Sequence, residues 1–137
     1  TATIRRLQGK PEEAARLHGE ALAIVERAVG PGHSDCADLK IELGRDALAM
    51  GDFVTALARF SEAARTRDVA RMHPLDAVTL DLDWSEAARG TGDIDLAQAK
   101  LGAARTKLAA LTAAHVFPRS KALLARLAAA ETSIARH

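Results

Sequence analysis

Leu43-Gly44-Arg45-Asp46-Ala47-Leu48-Ala49-Met50-Gly51-Asp52-Phe53-Val54-Thr55-Ala56-Leu57-Ala58-Arg59-Phe60-Ser61-Glu62-Ala63 is the stretch that decides the fold. Gly51 ends one helical pattern and Asp52 opens the next. A glycine just past a helix accepts the left-handed conformation that a C-cap needs. An aspartate at the following position suits an N-cap. A turn this short forces the two helices antiparallel. Ala56 and Ala63, seven apart, lie on one face, where a second helix crosses closely. Phe60 stands between them and fills the gap beside that crossing.

The pattern recurs along the chain. Glycine turns stand at Gly9-Lys10, Gly51-Asp52 and Gly92-Asp93, spaced by 42 and 41 positions. Five residues after each glycine comes an alanine (Ala14, Ala56, Ala97), and seven further another (Ala21, Ala63, Ala104). Between the members of each pair sit His18, Phe60 and Leu101. A second marker keeps the same period: His33, His73 and His115, beside Pro31-Gly32, Pro74 and Pro118. In the first copy Pro11 takes the first helical turn, where its missing N–H does no harm. Self-similarity at this period is the signature of stacked helix pairs.

The spacing predicts helices over about 1–8, 11–28, 34–50, 52–69, 75–89, 94–113 and 118–135. Leu39, Leu43, Ala47 and Met50 form an apolar stripe at helical spacing, as do Leu123, Leu124, Leu127, Ala130 and Ile134. The last helix has no partner after it, so it is expected to cover the end of the stack.

Composition agrees with an all-α chain. The sequence is 48% hydrophobic. Much of that is alanine, the best helix former, and the aromatic and β-branched residues that strands favour are scarce. Nineteen basic against 18 acidic side chains leave a net charge of +1, which gives no electrostatic footprint for nucleic acid. Cys36 has no second cysteine to pair with, so a reducing, cytoplasmic setting is expected. No apolar run approaches the ~18 residues of a membrane span, and no signal peptide is visible. The chain opens at Thr1 inside a helical pattern, so it reads as a piece of a longer protein. Ile4 and Leu7 would then leave an apolar end on a truncated helix, a route to a homodimer.

Leu43-Gly44, Gly51, Ala56, Phe60 and Ala63 resemble the tetratricopeptide repeat, including its Ala-x3-Phe element. Trp84, Ala88, Gly92, Ala97, Leu101 and Ala104 give another copy, and Gly9, Ala14 and Ala21 a truncated first one. The period exceeds the family's usual ~34 residues. The longer form is similar to the kinesin-light-chain type of repeat, whose Gly-Pro-x-His joint matches Val29-Gly30-Pro31-Gly32-His33 and, more briefly, Met72-His73-Pro74. Repeats would then cover about 1–32, 33–72 and 73–114, with a last helix over 117–136.

The resemblance implies an α-solenoid of antiparallel helix pairs, coiled as a right-handed superhelix. Its concave groove is lined by the leading helix of each pair and grips a peptide. Carried over by register, the groove residues are Thr3 and Arg6, then Asp38, Ile41, Glu42 and Arg45, then Thr79, Leu82, Asp83, Glu86 and Arg89. Many repeats of this family hold the peptide backbone with asparagines, and some hold a C-terminal carboxylate with lysine and asparagine. This chain has no asparagine, so both clamps are absent and recognition would rest on charges and apolar contacts.

Sharper chemistry finds little support. Successive repeat histidines lie on the order of 10 Å apart by helix-packing distances, whereas zinc needs ligands at about 2 Å. They read as joint residues that bond loop backbone. Cys36 follows His33 by three positions, but a structural thiol is the plainer reading. Asp93 and Asp95 suit a helix start, while Asp81 and Asp83 sit mid-helix, facing solvent or the groove. Trp84 reads as core. No phosphate loop, zincin motif or nucleophile elbow is present. No cofactor or metal is implied, and the chain reads as no enzyme. Arg45 and Arg89 are the best functional candidates, because guanidinium binds carboxylates through paired donors. The function expected is a scaffold for a protein or peptide partner. The alternative is a regulatory segment of a larger bacterial signalling protein, a serine/threonine kinase or transcription regulator, acting intramolecularly. The alanine- and arginine-rich usage suits such a GC-rich source.

Overall fold

The computed structural model describes residues 8–30, 33–66, 72–113 and 120–135. Thr3, Ile4, Arg6 and Leu7 of the expected first helix lie outside these residues, as do Pro31, Gly32, His115 and Pro118. The described residues form six helices: α1 Pro11–Val29, α2 Ser34–Ala49, α3 Phe53–Thr66, α4 Pro74–Gly90, α5 Ile94–Ala113 and α6 Ser120–Ala135. No strand occurs among them, so the fold is an all-α helical repeat. No helix among them is long and apolar enough to cross a membrane. The chain divides into two compact units, Thr1–Val69 and Ala70–His137.

In the first unit, α2 packs between α1 and α3. The α2–α3 turn is built as its sequence predicts. Gly51 adopts φ 76°. Its N–H donates to Leu48 O at 3.0 Å, and the Asp52 N–H donates to Ala47 O at 2.8 Å. These two bonds are the reciprocal closure of a Schellman C-cap, which satisfies carbonyls that the helix end would otherwise leave open. Asp52 then caps α3, its carboxylate accepting from the Thr55 N–H at 3.2 Å and the Thr55 hydroxyl at 2.6 Å. On α3, Ala56, Phe60 and Ala63 are buried, the face that the seven-residue spacing predicts. Cys36 is buried beside Leu22 and Leu43.

The second unit repeats this construction. Gly92 takes φ 86°, its N–H donates to Arg89 O and the Asp93 N–H to Ala88 O. Asp93 accepts from the Leu96 N–H at 3.1 Å. His73 opens α4 by accepting from the Leu75 N–H on Nδ1 at 3.3 Å, the joint-residue role expected of it. Ala97, Leu101, Ala104 and Leu108 are buried on α5. α6 packs on both α5 and α4, with Leu127 and Ile134 buried.

At one matched pair of positions the two hairpins exchange side-chain size. Phe60 stands where the second unit has Leu101, and Gly44 stands where it has Ser85. The larger ring is met by the smaller residue. Ser85 has room for its hydroxyl, which donates to Ala97 O at 2.9 Å.

Some expectations need correction. α2 ends at Ala49, just short of the expected 34–50, while positions 67–69 of the expected 52–69 lie outside the described residues. Met50 and Leu124 are both 40% exposed and stand off their stripes. Ala21 is only partly buried.

Candidate functional site

Each unit has one leading helix, α2 in the first and α4 in the second. On α2, Asp38 is exposed and Ile41 is buried. Glu42 and Arg45 are partly buried and paired at 2.7 Å, one helical turn apart. Arg45, one of the two favoured candidates, thus already holds a carboxylate of its own helix.

On α4, Thr79 donates its hydroxyl to Leu75 O at 2.9 Å. Leu82 and Asp83 are buried, Glu86 is exposed and Arg89 is partly buried. Asp83 accepts from Arg126 of α6 at 2.6 Å, and Glu86 lies 3.5 Å from the same guanidinium. Asp81 is buried and accepts from Lys107 of α5 at 2.6 Å. The mid-helix carboxylates thus anchor the neighbouring helices. Their partners lie 26 and 43 positions away, beyond any local spacing rule.

α4 and α6 leave a cleft of about 250 Å³ between them. Three residues assigned to the binding face by register, Leu82, Glu86 and Arg89, line its α4 side. Arg126, Ala130, Ser133 and Ile134 line the α6 side. The floor is aliphatic and the rim is charged. Arg126 escaped the reading of the sequence, because the last helix was read as a cover and not as a wall. Its one signal is an arginine set among alanines and leucines.

Other polar groups have structural surroundings. His18 Nδ1 and Asp46 Oδ2 meet at 2.5 Å, with both side chains buried. His18 fills the place between Ala14 and Ala21, so a polar residue stands where the other copies carry Phe60 and Leu101. The Cys36 thiol is buried and directed at Gly30 O at 3.5 Å. Trp84 is only partly buried and carries the Lys100 ammonium 3.6 Å above its ring. Burial pushes the Lys100 amino group below its ordinary 10.5; Asp81 draws it back up and Lys107 pushes it further down. Among the described residues no group of three or more His, Cys, Asp or Glu side chains could hold a metal ion.

Residues 2–68 match the family model of the tetratricopeptide repeat. Comparison with curated proteins and with solved structures gave no match.

Proposed function

This chain belongs to the tetratricopeptide-repeat family through residues 2–68, and we propose that it holds a partner polypeptide on a leading helix, α2 within the first unit or α4 within the second. Repeats of this family are, in general, protein–protein interaction modules and not catalysts. One observation carries the finer reading. Leu82, Glu86 and Arg89, chosen by register alone, come together along one accessible cleft. From Leu82 to Arg89 the helix rises about 10 Å at 1.5 Å per residue. That length accommodates about three residues of extended chain at ~3.3 Å each. With no asparagine to grip a peptide backbone, selection falls to the side chains. The aliphatic floor favours an apolar residue, and the rim favours a charged one.

Site-specific photo-crosslinking tests the face. A crosslinker is placed at Asp38 or Glu86, both on leading helices, and as a control at Ala58, exposed on the second helix of its hairpin. Adducts with a source-organism lysate are expected from the first two positions and not from the third. Adducts from Ala58 alone, or equally from all three, would move binding off the leading helices.

A further inference from the structure

We infer that the α4–α6 cleft selects an acidic side chain within an extended peptide, received by Arg89 beside the aliphatic floor. The inference rests on the peptide-holding reading above and specifies what that site reads.

The two candidate arginines are not equivalent in the structure. Arg45 is held by Glu42 at 2.7 Å. Arg89 lies at the corresponding end of α4, partly buried, and its guanidinium makes no ion pair or side-chain hydrogen bond among the described residues. Its neighbours are otherwise engaged. Glu86, one turn earlier on the same helix, lies 3.5 Å from Arg126, and Arg126 is also bonded to Asp83. The cleft therefore contains one ion-pair cluster near its Arg126 end and one unanswered cation at the other.

Chemistry then picks the occupant. A partly desolvated guanidinium presents five donors in a planar fork that matches a carboxylate, and such charge-assisted bonds are roughly twice as strong as neutral ones. A basic side chain at the same place would meet repulsion from Arg89. A purely apolar one would bury the cation further without a partner. Within the same lining, Ala130 and Ile134 offer contact to an aliphatic neighbour, and Ser133 adds a hydroxyl. The cleft follows α4 for two turns, which suits a passing strand more than a chain end. An internal Asp or Glu is the source we commit to, not a terminal carboxylate. Net charge near zero leaves no long-range field to recruit a polyanion such as nucleic acid.

The test is a selection from two random-peptide display libraries against the full 137-residue chain. In one library the random segment is internal, between fixed flanks. In the other it ends in a free carboxylate. Internal peptides are expected to enrich with Asp or Glu at one fixed position next to an aliphatic residue. For a synthetic, end-blocked winner, Arg89→Gln in the protein or Glu→Gln in the peptide should each weaken binding by about ten-fold. The two changes together should weaken it little more than either alone, the mark of a direct pair. Arg45→Gln should leave the affinity within about two-fold. Circular dichroism establishes that each variant is folded. Winners without a fixed acidic position, enrichment from the free-carboxylate library alone, or indifference to Arg89→Gln would overturn the assignment while leaving peptide holding intact. No enrichment from either library would overturn both.

Discussion

The ring of Phe60 packs against the bare Cα of Gly44. A Cβ built at position 44 would lie 2.8 Å from Phe60 Cδ1 and 2.9 Å from Cζ, and closer still to Cε1. Phe60 is fully buried, so its ring has no free space to retreat into. Two effects oppose each other in Gly44→Ala. Alanine gains about 1 kcal/mol in a helix interior, while overpacking costs about 1–3 kcal/mol. The clash is with a whole buried ring, so the second should win by on the order of 1 kcal/mol. Phe60→Leu opens the space again and recreates the Leu101 arrangement. Urea melts should show Gly44→Ala destabilising the wild type but stabilising the Phe60→Leu background. A Gly44→Ala protein more stable than wild type would mean that the ring does not sit there. For scale, Phe60→Ala should cost about 3–5 kcal/mol.

The buried His18–Asp46 pair joins α1 to α2 at 2.5 Å. Removing one partner from a buried pair costs about 3–5 kcal/mol, whereas replacing both with well-packed apolar groups is often neutral. Asp46→Ala should therefore be the most damaging change, and His18→Leu nearly as bad. The double variant should recover most of the loss, because the second and third copies already run on Phe60 and Leu101. Denaturant titration of the four proteins measures the coupling. Additive losses would show that the 2.5 Å contact carries no energy.

How much of this was legible follows from distance along the chain. Gly51, Asp52, Gly92, Asp93 and His73 act within a few residues of themselves, and their roles were readable from turn chemistry. Ala56, Phe60 and Ala63 were readable because spacing on a helix fixes a face. His18 was placed correctly as the filler of its hairpin, but Asp46 stands 28 positions away. Nothing local announces which carboxylate a buried imidazole will meet. The same holds for Asp83 with Arg126 and Asp81 with Lys107, which turn mid-helix acids into anchors. On the proposed binding face, register selected Leu82, Glu86 and Arg89 together. It could not distinguish Arg45 from Arg89, because that difference lies in whether a neighbour's rotamer reaches the guanidinium.

Asp52 makes the α3 cap sensitive to acid. The Thr55 hydroxyl and then the Thr55 N–H hold its carboxyl below the ordinary 3.8, with slight burial opposing them. A carboxyl depressed in the folded state contributes stability that is present above its unfolded pKa. That contribution is lost as pH falls through the folded value. The window therefore opens just below pH 3.8. Thr55→Ala removes one of the two donors, so an NMR titration should show the Asp52 pKa rising toward the ordinary value. Amides of the first α3 turn should then lose protection at a higher pH than in wild type. An unmoved Asp52 midpoint would assign the cap to the backbone alone.

α6 is tied to its unit by few groups, and they should fail in a definite order. Leu127 and Ile134 are buried, and Leu127→Ala should cost about 2–5 kcal/mol. The Arg105–Glu131 bridge joins α5 to α6 at 2.5 Å but is largely exposed, so its loss should cost no more than about 1 kcal/mol. Arg126 is different in kind. Its partner Asp83 is buried while Arg126 itself is partly exposed. Removing the arginine strips a charged donor from a buried carboxylate, and hydrogen bonds to charged groups contribute about 1.5–3 kcal/mol. Removing the aspartate merely returns the guanidinium to water. Arg126→Gln should therefore destabilise more than Asp83→Asn, whose amide still fits the site. The loss should appear first as local opening, because α6 is the element the bridge holds. Hydrogen exchange followed by mass spectrometry should show peptides over 120–135 exchanging faster in Arg126→Gln, while peptides of α4 and α5 keep their protection. Equal acceleration across all three helices would show that α6 unfolds only with the whole unit and that the bridge is no separate latch.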